Sequence, residues 1–193
     1  MIANVNKNTG KLLVAILAMF MIVAGAAVVM SDDTQAATDF DNQIAAGGTV
    51  KLDADATISS QTISKDVTIN GDGNTITVSG KITLEAKLTI NNATIALDTG
   101  YNARQMFATG NNAGALVLND VTFPVSKTAG VAIYNDKGTV TVENSDLNGW
   151  TIAQAYSTGG APVTSLSNVN NANMDVAGTV EIGDNLKLSG TTL

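Results

Sequence analysis

The 193-residue chain contains no cysteine and no histidine. Without cysteine there is no thiol nucleophile, no disulfide and no thiolate metal site. Without histidine the Ser-His-Asp and Cys-His arrangements go, together with histidine-based zinc sites and the commonest general base. Aromatic residues make up only 4% of the sequence, so a core has to be assembled from stacked aliphatic side chains. Lysine and arginine number 10 against 17 acidic residues, a net charge of −7. That balance argues against nucleic acid, which demands a basic surface. An anionic polysaccharide would also be repelled on average.

What the chain has in quantity is short runs of Val, Ile, Leu and Thr, separated by Gly, Asn and Asp. One motif recurs: an apolar strand residue, a polar residue, then Asn or Asp, then a second strand. It reads Ile90-Asn91-Asn92, Leu118-Asn119-Asp120, Val142-Glu143-Asn144 and Leu166-Ser167-Asn168. An earlier copy is Ile69-Asn70-Gly71 and a later one Ile182-Gly183-Asp184. From Ile69 to Leu166 the steps are 21, 28, 24 and 24 residues. Periods of this size mark solenoids, in which a repeat that cannot bury its own apolar face stacks on its neighbours. The repeats alternate apolar and polar residues and lack helical spacing. The predicted fold is all-β, a parallel β-helix of six or seven coils.

The N-terminus is different. Lys7 and Lys11 precede an apolar run of 19 residues, Leu12 to Met30, followed by SDDTQAA. A positive flank, an apolar core and small residues near Ala36 and Ala37 describe an export signal. The run is also about long enough to span a bilayer. Residues 1–37 are therefore expected to be a cleaved signal peptide or a retained membrane anchor, the only contact with a membrane. Either way the lysines precede the run, and residues 38–193 lie outside the cytoplasm. After it, Phe40 and Ile44 sit four apart behind Thr38-Asp39, an expected N-cap, and Gly47-Gly48 ends the turn. This predicts a short helix capping the open end of the solenoid.

The segments FDNQIAAGGTVKL, KDVTINGDGNTITVSG and LTINNATI resemble the right-handed parallel β-helix superfamily typified by pectin and pectate lyases. The likeness is strongest to secreted adhesin-like proteins of methanogenic archaea. The resemblance implies a right-handed, three-faced coil with a tight turn at the Asn column and an extracellular or cell-surface role. It is almost silent about ligand.

Two columns of residues are singled out by the repeat. The first is the turn ladder Asn92, Asp120, Asn144 and Asn168, with Gly71 and Asp184 at its ends. A tight bend between strands needs a residue near left-handed geometry, which Gly, Asn and Asp tolerate; stacked amides could also bond along the axis at a buried corner. The ladder offers amides on either side of Asp120 and so makes a poor calcium site. Asp53, Asp55 and Asp72 lack the carboxylate pattern of a calcium loop, and Asp72-Gly73 reads as a turn. No metal site and no cofactor are expected.

The second column is Phe107, Tyr134 and Tyr156, each ending a strand before a Gly-containing turn. If stacked outward on successive coils, with Gln105 and Gln154 on the same face, they would form a platform for sugar rings. Met106, Ile133 and Ala155 are then the core positions. An aromatic ladder that merely stiffens the sheet is the competing reading. Arg104, the only arginine, adjoins Gln105 in the insertion DTGYNARQMFATGNNAG and is a further candidate contact. In pectate-lyase-like enzymes an arginine acts as base beside calcium-binding aspartates, but no such cluster can be assigned around Arg104. No paired carboxylates share a register on adjacent coils, as glycoside cleavage would require.

The function expected is a non-catalytic, adhesin-like surface protein that binds a glycan or an envelope protein. The alternatives are a small lyase-like β-helix enzyme and an envelope subunit that assembles end to end, by self-association through the β-helix end. Ice binding is disfavoured because no Thr-x-Thr column persists through all coils.

Overall fold

A computed structural model of the chain describes residues 36–101, 105–124, 131–155 and 160–192. The expected signal or anchor, up to residue 35, lies outside the described residues, as do Arg104 and Tyr156. Among the described residues no helix is long and apolar enough to cross a membrane.

Among the described residues the fold is an all-β parallel solenoid with one short helix at its N-terminal end. The helix α1 (Ala36–Ala46) is followed by β1 (Gly48–Lys51), β2 (Ala56–Ile58), β3 (Gln61–Ile63), β4 (Val67–Asn70), β5 (Thr75–Val78), β6 (Ile82–Leu84) and β7 (Lys87–Leu97). Then come β8 (Phe107–Thr109), β9 (Ala115–Thr122), β10 (Val131–Asn135), β11 (Thr139–Glu143) and β12 (Thr151–Gln154). The last are β13 (Val163–Ser167), β14 (Ala172–Val176), β15 (Thr179–Ile182) and β16 (Leu188–Thr192). Every strand pairing is parallel.

The strands stack on three faces. The first face is the rank β1-β4-β7-β9-β11-β13-β15. The third is β3-β6-β8-β10-β12-β14-β16, also seven strands deep. The second is shorter in strand: β2 and β5 pair with each other and β5 with the far half of β7. It continues through Val121 and Thr122 of β9 and the bridges Thr122–Asp146 and Asp146–Asn170. The repeat motif falls into one register: Ile69, Ile90, Leu118, Val142, Leu166 and Ile182 are successive partners on the first face.

Alternation decides which side chains fill the interior. On the first face Val67, Leu88, Leu116 and Val140 form one inward column and Ile69, Ile90, Leu118 and Val142 the next, all buried. Each fully buried aliphatic side chain contributes about 1.5–3 kcal/mol. Stacked in this way they replace the aromatic-rich core that the composition forbids.

The helix starts earlier than its expected cap, so Thr38 lies inside α1 rather than before it. Phe40 and Ile44 are buried against the first rung. Gly47, at φ 82°, ends the helix in left-handed geometry. The Asp41 carboxylate accepts from the Ser59 N–H at 3.0 Å and the Gln61 side-chain amide at 2.9 Å. The helix thus covers the core and also occupies a strand-edge donor, the two things that an open solenoid end exposes. At the last rungs the burial loosens: Ile182 is 64% exposed, while its register partner Leu166 is 1% exposed.

Candidate functional site

The turn ladder forms the corner between the first and second faces. Asn92, Asp120, Asn144 and Asn168 have φ of 48°, 56°, 50° and 56°. This left-handed geometry costs an ordinary L-residue about 1–2 kcal/mol. It lets β7 and β9 turn the corner without leaving the ladder of strand pairing. At the two ends the left-handed residue moves one place on, to Asp72 (φ 56°) and Asn185 (φ 55°). Gly71 is therefore needed for another reason: a Cβ there would come 2.5 Å from the Asn92 carbonyl oxygen and 2.6 Å from the Ala93 Cβ. The corner is exposed, not buried as expected. Its hydrogen bonds are correspondingly partial. Asn168 Nδ2 donates to Asn144 Oδ1 at 2.8 Å, and Asn144 Nδ2 to Asn119 Oδ1 at 3.0 Å.

Substituting Asn144 with leucine is expected to destabilise by about 1–2 kcal/mol, the left-handed penalty. Asn144→Gly should cost less, since glycine carries no such penalty. Urea melts of both variants check this; equal losses would show that geometry is not what the position selects.

The aromatic column does not form. Phe107 pairs in register with Ile82 and Ile133 and is 1% exposed, so its ring belongs to the core. Tyr134 pairs instead with Ala108 and Ala153 and is half-buried. The expected alignment of Phe107 with Tyr134 fails by one residue: Ile133 stands opposite Phe107, and Tyr134 opposite Ala108. Met106 and Ile133 are buried as expected, while Ala155 is half-buried. Gln105 is half-buried, and its carbonyl accepts from the Tyr101 hydroxyl at 2.8 Å. Burial raises the Tyr101 pKa above its usual value.

Gln154 faces the interior and is 3% exposed. It is one of four polar side chains buried in a single connected network with Thr109, Asn135 and Thr164. Thr109 Oγ1 donates to Asn135 Oδ1 (3.2 Å), and Asn135 Nδ2 donates to Gln154 Oε1 (3.3 Å) and Thr164 Oγ1 (3.2 Å). Thr164 Oγ1 donates to Gln154 Oε1 at 2.6 Å. Three of the four also hold the next corner. Thr109 Oγ1 accepts from the N–H groups of Asp136, Lys137 and Gly138. Asn135 Nδ2 reaches the Val163 carbonyl at 3.0 Å. Gln154 Nε2 donates to the carbonyls of Ala177 and Thr179 at 3.0 and 2.9 Å. Gln154 is thus fully engaged within the fold and unavailable to a ligand. Counting inward by twos from Ile133 reaches Asn135, a signal that the outward reading of Tyr134 and Gln154 obscured.

The outer surface of the first face is the most regular polar array. One outward column runs Thr49, Thr68, Thr89, Val117, Thr141, Ser165 and Glu181 in register. Beside it runs Lys51, Asn70, Asn91, Asn119, Glu143 and Ser167. Neighbouring members stand about 4.8 Å apart, the strand spacing. Asn91 Nδ2 donates to Asn70 Oδ1 at 3.0 Å, which fixes the amide plane. Lys51 pairs with Asp72 at 3.1 Å and Asp53 at 4.0 Å. The hydrogen bond and charge of Asp72, then the charge of Asp53, raise its pKa. Towards the last rungs the face opens into a groove of about 290 Å³ edged by Thr141, Glu143, Ser165, Ser167 and Glu181. There Ser165 Oγ donates to Glu181 Oε2 at 2.8 Å. Hydroxyls, amides and carboxylates at fixed spacing can exchange hydrogen bonds with a polyhydroxylated ligand.

Among the described residues no three carboxylates converge to hold a metal ion. Comparison with protein-family models, curated proteins and solved structures finds no match to this chain.

Proposed function

We propose that this chain is a non-catalytic, adhesin-like β-solenoid, displayed outside the cell, that binds neutral glycan through the outer surface of its first face. The observation that carries the reading is the pair of adjacent outward columns, Thr68, Thr89, Val117 and Thr141 beside Asn70, Asn91, Asn119 and Glu143. Their groups are held by the strand ladder before any ligand arrives, which lowers the ordering cost of binding. The net charge of −7 favours an uncharged saccharide over an anionic one. The export-signal pattern of the first 37 residues and the resemblance to secreted β-helix adhesins of methanogens support the same role.

An array of immobilised oligosaccharides tests the proposal. The protein should bind neutral saccharides, and Thr89→Arg, which places a long charged side chain at the centre of the face, should reduce that binding at least tenfold. Surface changes of this kind alter stability by only about 0.5 kcal/mol, so the denaturation midpoint should hardly move. Binding that survives Thr89→Arg would place the ligand elsewhere.

A further inference from the structure

We propose that Asn92 is an N-glycosylation acceptor, modified at Nδ2 as the chain is exported. Asn92-Ala93-Thr94 is the single Asn-x-Ser/Thr tripeptide in the sequence, the minimal acceptor for this modification in exported proteins. The proposal rests on the extracellular reading given above, since the transferases act on the far side of the membrane.

The fold places this tripeptide where a saccharide can be carried without loss. Asn92 is exposed at the corner between the first and second faces, with its backbone already in left-handed geometry at φ 48°. In the same ladder the amides of Asn144 and Asn168 are committed to hydrogen bonds along the stack. The Asn92 side-chain amide has no hydrogen-bond partner among the described residues. One rung below stands Gly71, which has no side chain and has no room for one. One rung above stands Asp120, which is exposed. Substituting the Asn92 nitrogen therefore breaks no bond in the ladder, and Gly71 beneath it presents no side chain.

The neighbouring residues fix the order of events. Ala93 pairs with Val121, and Thr94 pairs with both Thr75 and Thr122. Once these pairs form, the backbone that a transferase must grip is locked on both edges, and the Thr94 hydroxyl is half-buried. Transfer accordingly precedes closure of this rung, on the translocating chain. The donor is a saccharide linked through its anomeric carbon to a polyprenyl phosphate. Nδ2 attacks that carbon, the carbon–oxygen bond to phosphate breaks, and the electron pair leaves on the phosphate oxygen. The proton lost by Nδ2 is taken up by the phosphate. No oxidant or reductant is required.

Peptide mapping by mass spectrometry, on the full chain isolated from the extracellular fraction of its own cells, tests the site. The peptide containing Asn92 is expected to carry a mass equal to a run of sugar residues. Both Asn92→Gln and Thr94→Val should abolish it; Thr94→Val leaves Asn92 in place and keeps a β-branched residue in the strand. An exported protein with unmodified Asn92 overturns the proposal while leaving the extracellular reading intact. A saccharide that persists in Thr94→Val also overturns it, because the attachment would not depend on the tripeptide. A chain found only inside the cell overturns both.

Discussion

Phe107→Ala is expected to lower the unfolding free energy by about 3–5 kcal/mol, the range for truncating a buried phenylalanine. The ring sits between Ile82 and Ile133 in register and is 1% exposed. A domain of this size has a total stability of about 5–15 kcal/mol, so the loss would take a large fraction of it. The measurement is the denaturant midpoint, which should fall with an unchanged slope. Tyr134→Ala is the internal comparison: its ring lies outward between Ala108 and Ala153 and is only half-buried, so its truncation should cost clearly less. Equal losses at the two positions would mean that both rings are core. A negligible loss at Phe107 would mean that its ring is not part of the core.

That contrast shows where sequence reasoning succeeds in this fold and where it fails. The register of the first face was legible because the corner residues repeat: Asn92, Asp120, Asn144 and Asn168 mark the same bend on successive rungs, and the apolar residue two places before each lands in one column. Left-handed geometry restricts residue type strongly, so it leaves a mark in the sequence. The third face has no such marker. Between β7 and β8, and again between β9 and β10, the chain passes through insertions of unequal length. Alternation has a period of two, so an error of one residue turns every side chain over. The sequence pattern points Phe107 and Gln154 outward for that reason, and in the fold both lie inward. The polar surface of the first face was visible as alternating Thr and Asn, but its continuity across rungs depends on pairing that only the fold supplies.

The second large effect should come from the interior of that third face. Asn135→Leu is expected to destabilise by roughly 3 kcal/mol or more, although leucine is close in size and more apolar. Asn135 has no exposed surface and donates to Gln154 Oε1, Val163 O and Thr164 Oγ1 while accepting from Thr109. Each buried polar group left without a partner costs about 1–3 kcal/mol, and leucine offers nothing to at least two of them. Thr109 holds the corner N–H groups of residues 136–138, so a shift of its hydroxyl would loosen the turn into β11 as well. Packing alone predicts the opposite sign, because an amide is replaced by hydrocarbon in a buried site. A double-mutant cycle separates the two accounts. If the network is the cause, adding Thr164→Val to Asn135→Leu should cost less than Thr164→Val in the unaltered chain, since one of the two partners of the Thr164 hydroxyl is already gone and only Gln154 remains. Strict additivity, or an Asn135→Leu chain as stable as the parent, would show that the buried hydrogen bonds are not what holds the corners of the later rungs.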